Sequence, residues 1–502
     1  MDYLKAMQNP ATYPHAVRGI RHLETHISHV FLTGEWAYKL KKPLQNAFLD
    51  YSTLELRRSC CQAEWELNRR FAPEIYAGVV ALACDGSGFN LEGRGEILDY
   101  AVKMREFSQD ALLLSLLNRG ELTLEVVRSL GEELAKIHSA APRLSDMQSP
   151  FGGFDSVSQL ARGNFRELEG LLKSRSPEPL QSLSDQTELL LASLQPEIEY
   201  RRQAGFVRDC HGDLHLGNLI WWQGRVQLFD GIEFNDALRW IDVMSDLGFV
   251  LMDLEEHRQA ALANQLLNVY LSQTGDYRGL KLLRFFKVYR AMVRAKVAAM
   301  RAVQQPSAES EASLKAVAEY LAYAALEFKE RRPVLLIAHG VSGSGKTYQS
   351  EPLLRIPGLI RLRSDVERNR VPAAGQSNAA GRDERYSAVR KQGVYFYLAE
   401  QTELLLQAGW SVLVDATFLQ RENRGLFREL AARVGVPFRI LHFEASREVL
   451  EQRVADRARS GKDASEAGVD VLHTQLSEYV ELSELEQAEC LNVPQAERML
   501  EH

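Results

Sequence analysis

The stretch Gly340-Val-Ser-Gly-Ser-Gly-Lys-Thr347 constrains the fold of this chain more than any other. It satisfies G-x-x-x-x-G-K-[ST] at every fixed position. At ordinary glycine usage a chain of this length meets that pattern by chance about once in fifty. The apolar run VLLIA (334–338) precedes it and a helical pattern follows. A strand, a glycine loop and a helix N-terminus in that order turn successive backbone N–H groups toward one point, which is an anion-binding arrangement. Lys346 is then placed for the β- and γ-phosphates of a nucleotide and Thr347 for Mg²⁺, with Gly340, Gly343 and Gly345 shaping the loop. Strands and helices alternate beyond it. This predicts an α/β domain whose parallel sheet is covered on both faces.

Three further places in that domain carry candidate chemistry. The run 360–363 ends at Ser364-Asp365, and the run 411–414 ends at Asp415-Ala416-Thr417. Acids at the C-terminal edge of such strands face the ligand crevice of an open α/β sheet. Asp365 is expected beside the phosphate-loop strand, where it can orient an acceptor hydroxyl. Arg368, one turn later, suits an anionic part of that acceptor. Asp415 is a candidate for Mg²⁺ through water, or for the acceptor. In LEQRVADRARSGKD, Arg453 and Arg457 stand at i, i+4 with Arg459 nearby. Such a cluster closes over transferring phosphates or forms a solvated basic helix, and the spacing alone does not choose. The segments SDVER and VLVDATFLQRENR, with the late arginines, resemble the P-loop kinase group of gluconate kinases, zeta-type toxins and polynucleotide kinases, over residues 333 to 480. The resemblance implies a P-loop NTPase fold, Asp365 as acceptor-activating base or anchor, Arg368 as an anion contact, and Arg453 or Arg457 as a lid residue.

A second constellation lies far upstream, in HGDLHLGNLIWWQGRVQLFDG from His211. Asp213 and Asn218 stand five apart with His211 two before the acid, the spacing of a kinase catalytic loop. A carboxylate there takes the proton of the attacking hydroxyl, while an amide oxygen and a second carboxylate hold Mg²⁺. The runs 219–222 and 225–229 predict a hairpin through Gln223-Gly224 that pairs Leu219 with Leu228. Asn218 and Asp230 then meet at its open end as metal ligands, with Glu233 as an outer ligand or loop organiser. Nearer the N-terminus, HVFLT and WAYKLK flank Gly34-Glu35, a second hairpin signal. Lys39 and Lys41 share one strand face. Either can reach phosphates, Lys39 being favoured, with Glu64 of a helix over about 53–70 as its partner and Glu66 second. A strand-rich lobe before a helical one predicts a bilobal α+β kinase fold. Lys39, His211-Gly-Asp213, Asn218 and Asp230, with the helix RWIDVMSDLGF, resemble the aminoglycoside phosphotransferase (choline-kinase-like) family over most of residues 20 to 300. The resemblance implies ATP-dependent transfer to a small-molecule hydroxyl. It does not extend to an aminoglycoside as substrate, and there is neither an A-P-E element nor a G-x-G-x-x-G loop near the N-terminus.

Length supports this division: 502 residues exceed a single ordinary core. The polar stretch QQPSAESEAS (304–313) predicts a linker. The expected layout is a phosphotransferase-like domain over 1–310, a linker and connecting helix over 311–332, and a P-loop domain over 333–502. A net charge of −7 supplies no global basic field for nucleic acid or membrane. No aromatic-interleaved basic stripe accompanies Arg361, Arg363, Arg368 and Arg370. Five cysteines without C-x-x-C spacing, and no membrane-length apolar window, predict a cytoplasmic protein. The expected function is bifunctional phosphoryl transfer from ATP with Mg²⁺ to two small-molecule acceptors. The alternatives are that one site is a regulatory switch, or that the P-loop domain acts on a nucleotide or nucleic-acid end.

Overall fold

A computed structural model describes residues 3–45, 49–86, 88–172, 179–304, 307–371, 388–460 and 468–501. The chain divides into two compact units, 1–166 with 195–253, and 167–194 with 254–502.

The first unit is built on a six-stranded antiparallel sheet, ordered β1-β2-β3-β6-β4-β5. The strands are β1 (Arg21–Glu24), β2 (Ser28–Leu32), β3 (Trp36–Lys41), β4 (Tyr76–Asp85), β5 (Gly88–Asn90) and β6 (Glu96–Arg105). The Gly34-Glu35 turn is closed by the Thr33 N–H donating to Trp36 O at 2.9 Å. The helix Leu54–Asn68 starts at Thr53, whose hydroxyl accepts from the Leu56 N–H at 3.2 Å. Its buried residues Arg57, Cys61, Glu64 and Asn68 recur every three or four positions, so they form one inward face. Glu66 lies on the exposed side. Two short antiparallel pairs follow: β7 (Val207–Asp209) with β10 (Trp240–Asp242), and β8 (Leu219–Trp222) with β9 (Arg225–Leu228). The run RWIDVMSDLGF is therefore a strand to Asp242 and a helix only from Val243, because Asp242 pairs with buried Arg201. Ile220 of β8 shares an apolar cluster with Val102 and Met104 of β6, which fixes the hairpin against the sheet.

The second unit holds a five-stranded, all-parallel sheet, ordered β12-β13-β11-β14-β15. These strands are β11 (Leu335–His339), β12 (Leu359–Arg363), β13 (Ser411–Asp415), β14 (Phe438–His442) and β15 (Cys490–Leu491). Leu335 through Ala338 are fully buried, as a central parallel strand requires. One expectation changes here. β12, which leads to Asp365, does not lie beside β11, since β13 is interposed. Sequential strands need not be neighbours when each connection is a helical crossover. The helix Leu280–Gln304 ends at the polar stretch, and Ser307–Glu327 is helical, burying Val317 and Leu321. The helices Ala260–Thr274, Leu280–Gln304 and Ser307–Glu327 fall in the same compact unit as the parallel sheet.

Candidate active sites

In the first unit the buried helix face brings Glu64 to β3. Lys39 donates to Glu64 Oε1 at 2.8 Å and also pairs with Asp230, so the expected lysine, helix acid and loop acid meet. Lys41 is fully buried between Glu64 and Glu233, and Tyr51 donates to the same Glu233 oxygen at 2.8 Å. Of the two lysines, Lys39 is therefore the one beside Asp230. Burial opposes charge on Lys39, but Asp230 and Glu64 hold it protonated well above the ordinary lysine range. Burial likewise pushes the Glu64 carboxyl up, and Lys39 and Lys41 outweigh it, bringing it down to about 2.

The β8–β9 register pairs Leu219 with Leu228 and Trp222 with Arg225, as the sequence predicts. Gln223 (φ 50°) and Gly224 (φ 79°) both lie in the left-handed region, the mark of a type I′ turn. At the open end the Phe229 N–H donates to Asn218 O at 3.0 Å. Asn218 Nδ2 donates to Asp213 O (2.9 Å) and Oδ2 (3.1 Å), which ties the catalytic-loop acid to the hairpin. Asp230 itself has φ 62°, a left-handed conformation that aspartate tolerates better than most residues. Tyr76 and Asn68 sustain it: the Asp230 N–H donates to Tyr76 Oη at 3.0 Å, and the Gly231 N–H to Asn68 Oδ1 at 2.8 Å.

His211 is a scaffold. Its Nδ1 accepts from the Asp213 N–H (3.3 Å) and its Nε2 donates to Phe229 O (2.9 Å), while burial lowers its pKa and keeps it neutral. Asp246 accepts the N–H groups of His211 and Gly212, both at 3.0 Å, and Asp253 accepts that of Leu216 at 2.8 Å. His215 accepts from the Gly217 N–H at 3.1 Å, and its Nε2 stands 3.5 Å from Asp213 Oδ2. Nothing in the spacing of the sequence identifies Asn68, Tyr76 or Asp253 as parts of this site.

In the second unit a cleft of ≈ 230 Å³ is lined by Gly343, Gly345, Lys346, Thr347, Arg363, Asp365, Arg368, Asp415, Thr417, Arg453 and Arg457, among others. Every candidate of this domain except Gly340 lies on that wall. Gly340 (φ 145°) ends β11, where a Cβ would stand 2.5 Å from Phe443 O; at Gly343 (φ 84°) one would stand 2.9 Å from Leu450 O. Only glycine fits either place. Lys346 Nζ donates to Gly340 O (2.8 Å) and Val341 O (3.0 Å). Burial pulls its pKa down to about 8, with Asp415 opposing and Arg457 assisting. Thr347 Oγ1 donates to Asp415 Oδ2 at 2.6 Å, so a hydroxyl and a carboxylate oxygen stand together for a divalent cation. Asp365 accepts from Arg363 (2.8 Å) and from the Val366 N–H (2.9 Å). It sits inside the short helix Ser364–Glu367, whose N-cap is Arg363, so it is not that helix's cap. Arg453 donates to Gly343 O at 3.2 Å.

Arg361 and Arg370 turn out to be structural. Arg361 donates to Thr347 O (3.2 Å) and pairs with Glu351 (2.8 Å), and Arg370 pairs with Glu367. The loop after Asp415 carries a strain the sequence does not announce. Phe418 is fully buried with φ 50°, held by its N–H donating to Tyr395 Oη (3.1 Å) and its carbonyl accepting from Arg424 (3.0 Å). Arg424 is itself fully buried against Glu486 at 2.7 Å.

Two family models match this chain: the phosphotransferase enzyme family over residues 112–283 and the AAA domain over 335–482. The first match begins beyond Lys39 and Glu64, whose assignment therefore rests on geometry. An uncharacterized protein of Mycobacterium tuberculosis is 29% identical over 448 residues, 88% of this chain and 87% of that protein. Among solved structures, a choline/ethanolamine kinase family protein from Mesorhizobium loti is similar at TM-score 0.38 and 13% identity, over 65% of this chain and 100% of that one. Aminoglycoside 2′-phosphotransferase-IIIa is similar at TM-score 0.39 and 13% identity, over 64% and 99%. Likenesses at that level add nothing to the two family matches. On those matches the chain is a kinase-type phosphotransferase, in which a region of the phosphotransferase enzyme family precedes a P-loop domain of the AAA type.

Proposed function

We propose that the chain is a bifunctional ATP-dependent phosphotransferase, with one nucleotide site in each compact unit and a small-molecule hydroxyl as acceptor at each. One observation carries this reading. Each unit supplies on its own elements a desolvated lysine, a candidate pair of oxygen ligands and a separate carboxylate: Lys39 pairs with Asp230, with Asn218 bonded to Asp213, in the first, and Lys346, Thr347, Asp415 and Asp365 share one cleft in the second. Mg²⁺ at the oxygen pairs would neutralise phosphate charge and orient the β- and γ-groups. Asp213 takes the proton of the acceptor hydroxyl as that oxygen bonds to the γ-phosphorus and the bond to the β–γ bridging oxygen breaks, leaving ADP. Asp365 does the same in the P-loop cleft, with Arg368 holding an anionic part of the acceptor and Arg453 and Arg457 neutralising charge on the transferring group. Five free thiols and the lack, among the described residues, of any helix long and apolar enough to cross a membrane are compatible with a cytoplasmic setting.

The test is ADP release from the full chain against fractionated metabolites, repeated with Asp213→Asn and Asp365→Asn. Two acceptor profiles, each silenced by one variant, are expected. A site that binds nucleotide yet shows no acceptor-dependent release is a regulatory switch.

A further inference from the structure

The parallel sheet ends at β12, and an edge strand leaves backbone groups unpaired. Here two buried asparagines of the helix Ala260–Thr274 fill the place of a neighbouring strand. Asn268 donates to Leu359 O and accepts from the Arg361 N–H, both at 2.9 Å. Asn264 donates to Leu354 O (2.9 Å) and Leu359 O (3.0 Å) and accepts from the Gly358 N–H (3.0 Å). Beyond the C-terminal end of β12 the same stretch of chain grips the next element. Tyr277, almost fully buried, donates to Glu367 Oε1 at 2.7 Å. Arg370 pairs with that carboxylate and donates to Ser272 O. Gly275 has φ 69°, and a Cβ there would stand 2.8 Å from the Arg370 Nε. Glu367 is fully buried and falls in sequence between Asp365 and Arg368, both of which line the cleft.

We propose that Tyr277 and Asn268 are positioning residues for the acceptor wall of the P-loop cleft. They touch no substrate; they set where β12 and the helix after it present Asp365 and Arg368. The nucleotide wall stands on other strands, since Lys346 and Thr347 follow β11 and Asp415 ends β13, and it meets β12 through Arg361, whose guanidinium donates to Thr347 O at 3.2 Å. The acceptor side of the second site is thus set by chain lying within the phosphotransferase family match, which runs to residue 283. The inference deepens the proposed function and, for its kinetic half, rests on it.

The experiment uses the full chain with Tyr277→Phe, which removes one hydroxyl, and Asn268→Leu as a second variant. Backbone amide exchange over 359–371 should quicken about fivefold to tenfold, the worth of one buried hydrogen bond. Exchange over 340–347 and affinity for Mg²⁺-ADP should stay at wild-type values. Glu367→Gln keeps an acceptor for Tyr277 and loses only the charge facing Arg370, so it should quicken exchange over 359–371 less than Glu367→Ala, which removes both partners and should quicken it at least as much as Tyr277→Phe. With an acceptor from the metabolite screen, Tyr277→Phe should raise the acceptor KM and leave the ATP KM alone. Unchanged exchange over 359–371, or equal quickening over 340–347, overturns the positioning role. Exchange and nucleotide affinity need no acceptor, so they decide the positioning role even where the kinase reading fails.

Discussion

The two candidate sites each hold a lysine out of bulk water, and they do so in opposite ways. Lys39 comes with its counter-ions: Glu64 and Asp230 pair with it directly, and Lys41 and Glu233 extend the network. Among the described residues Lys346 donates to the carbonyls of Gly340 and Val341, and burial, which Asp415 opposes without outweighing it, lowers its pKa to about 8. The first site is neutralised in advance, and on the proposed function Lys39 would exchange Asp230 for phosphate. The second holds a charge that the protein solvates poorly, which on the proposed function favours an anion beside it. A lysine with acids beside it is rigid and insensitive to pH; one without them is poised for an anion and sensitive to it.

The comparison breaks most visibly at turnover. Asp213→Asn should cut acceptor-dependent transfer at the first site by about 10²–10⁴-fold while nucleotide affinity holds. Wild-type turnover in that variant would remove Asp213 from catalysis. Asp365→Asn should do likewise at the second site alone. A lowered melting temperature with full turnover would instead leave Asp365 as the local partner of Arg363 and the Val366 N–H.

Next in size is nucleotide affinity. Lys346→Ala should weaken ATP binding in the P-loop cleft by about a hundredfold, the scale of two charge-assisted hydrogen bonds. Calorimetric stoichiometry should fall from two sites per chain to one. Loss of both sites together would contradict their independence.

A subtler distinction is pH. The cationic form of Lys346 binds phosphate, so affinity in the cleft should fall by up to about tenfold per pH unit above pH 8, with proton uptake on binding. Stability of the ligand-free protein should move the other way. Between about 8 and the ordinary 10.5 the unfolded chain binds this proton and the folded one does not, so stability rises with pH across that window. The first site should show a flat affinity over the same range, because Lys39 stays charged. Parallel pH profiles for the two sites would erase the contrast.

The sequence disclosed what depends on short spacing. Gln223-Gly224 set the β8–β9 register because both residues accept left-handed backbone, and the register put Phe229, the residue before Asp230, on Asn218. The glycine loop fixed β11 and Lys346 for the same local reason. Glu64 was readable as the partner of Lys39 only through the helical period, with Glu66 as rival; burial of one face decided between them. What depended on pairing across long separations was hidden. The place of β12 outside β13 follows from the crossovers, and the hold of Asp246 on the His211 and Gly212 N–H groups spans more than thirty residues. The connecting helix was readable from its apolar period, and Val317 and Leu321 are indeed buried on it, but its start at Ser307, inside the polar stretch, was not.

The asparagines that close β12 also bear on the order in which the chain is made. Asn264 leaves the ribosome 95 residues before Leu359, a lead of roughly 5–20 s at usual rates of synthesis. The amides that cover the edge therefore exist before the strand they cover. A nascent P-loop sheet meets its own lid as it forms, and a flat parallel edge, the kind of surface that recruits other chains, is spared exposure during the slowest phase of assembly.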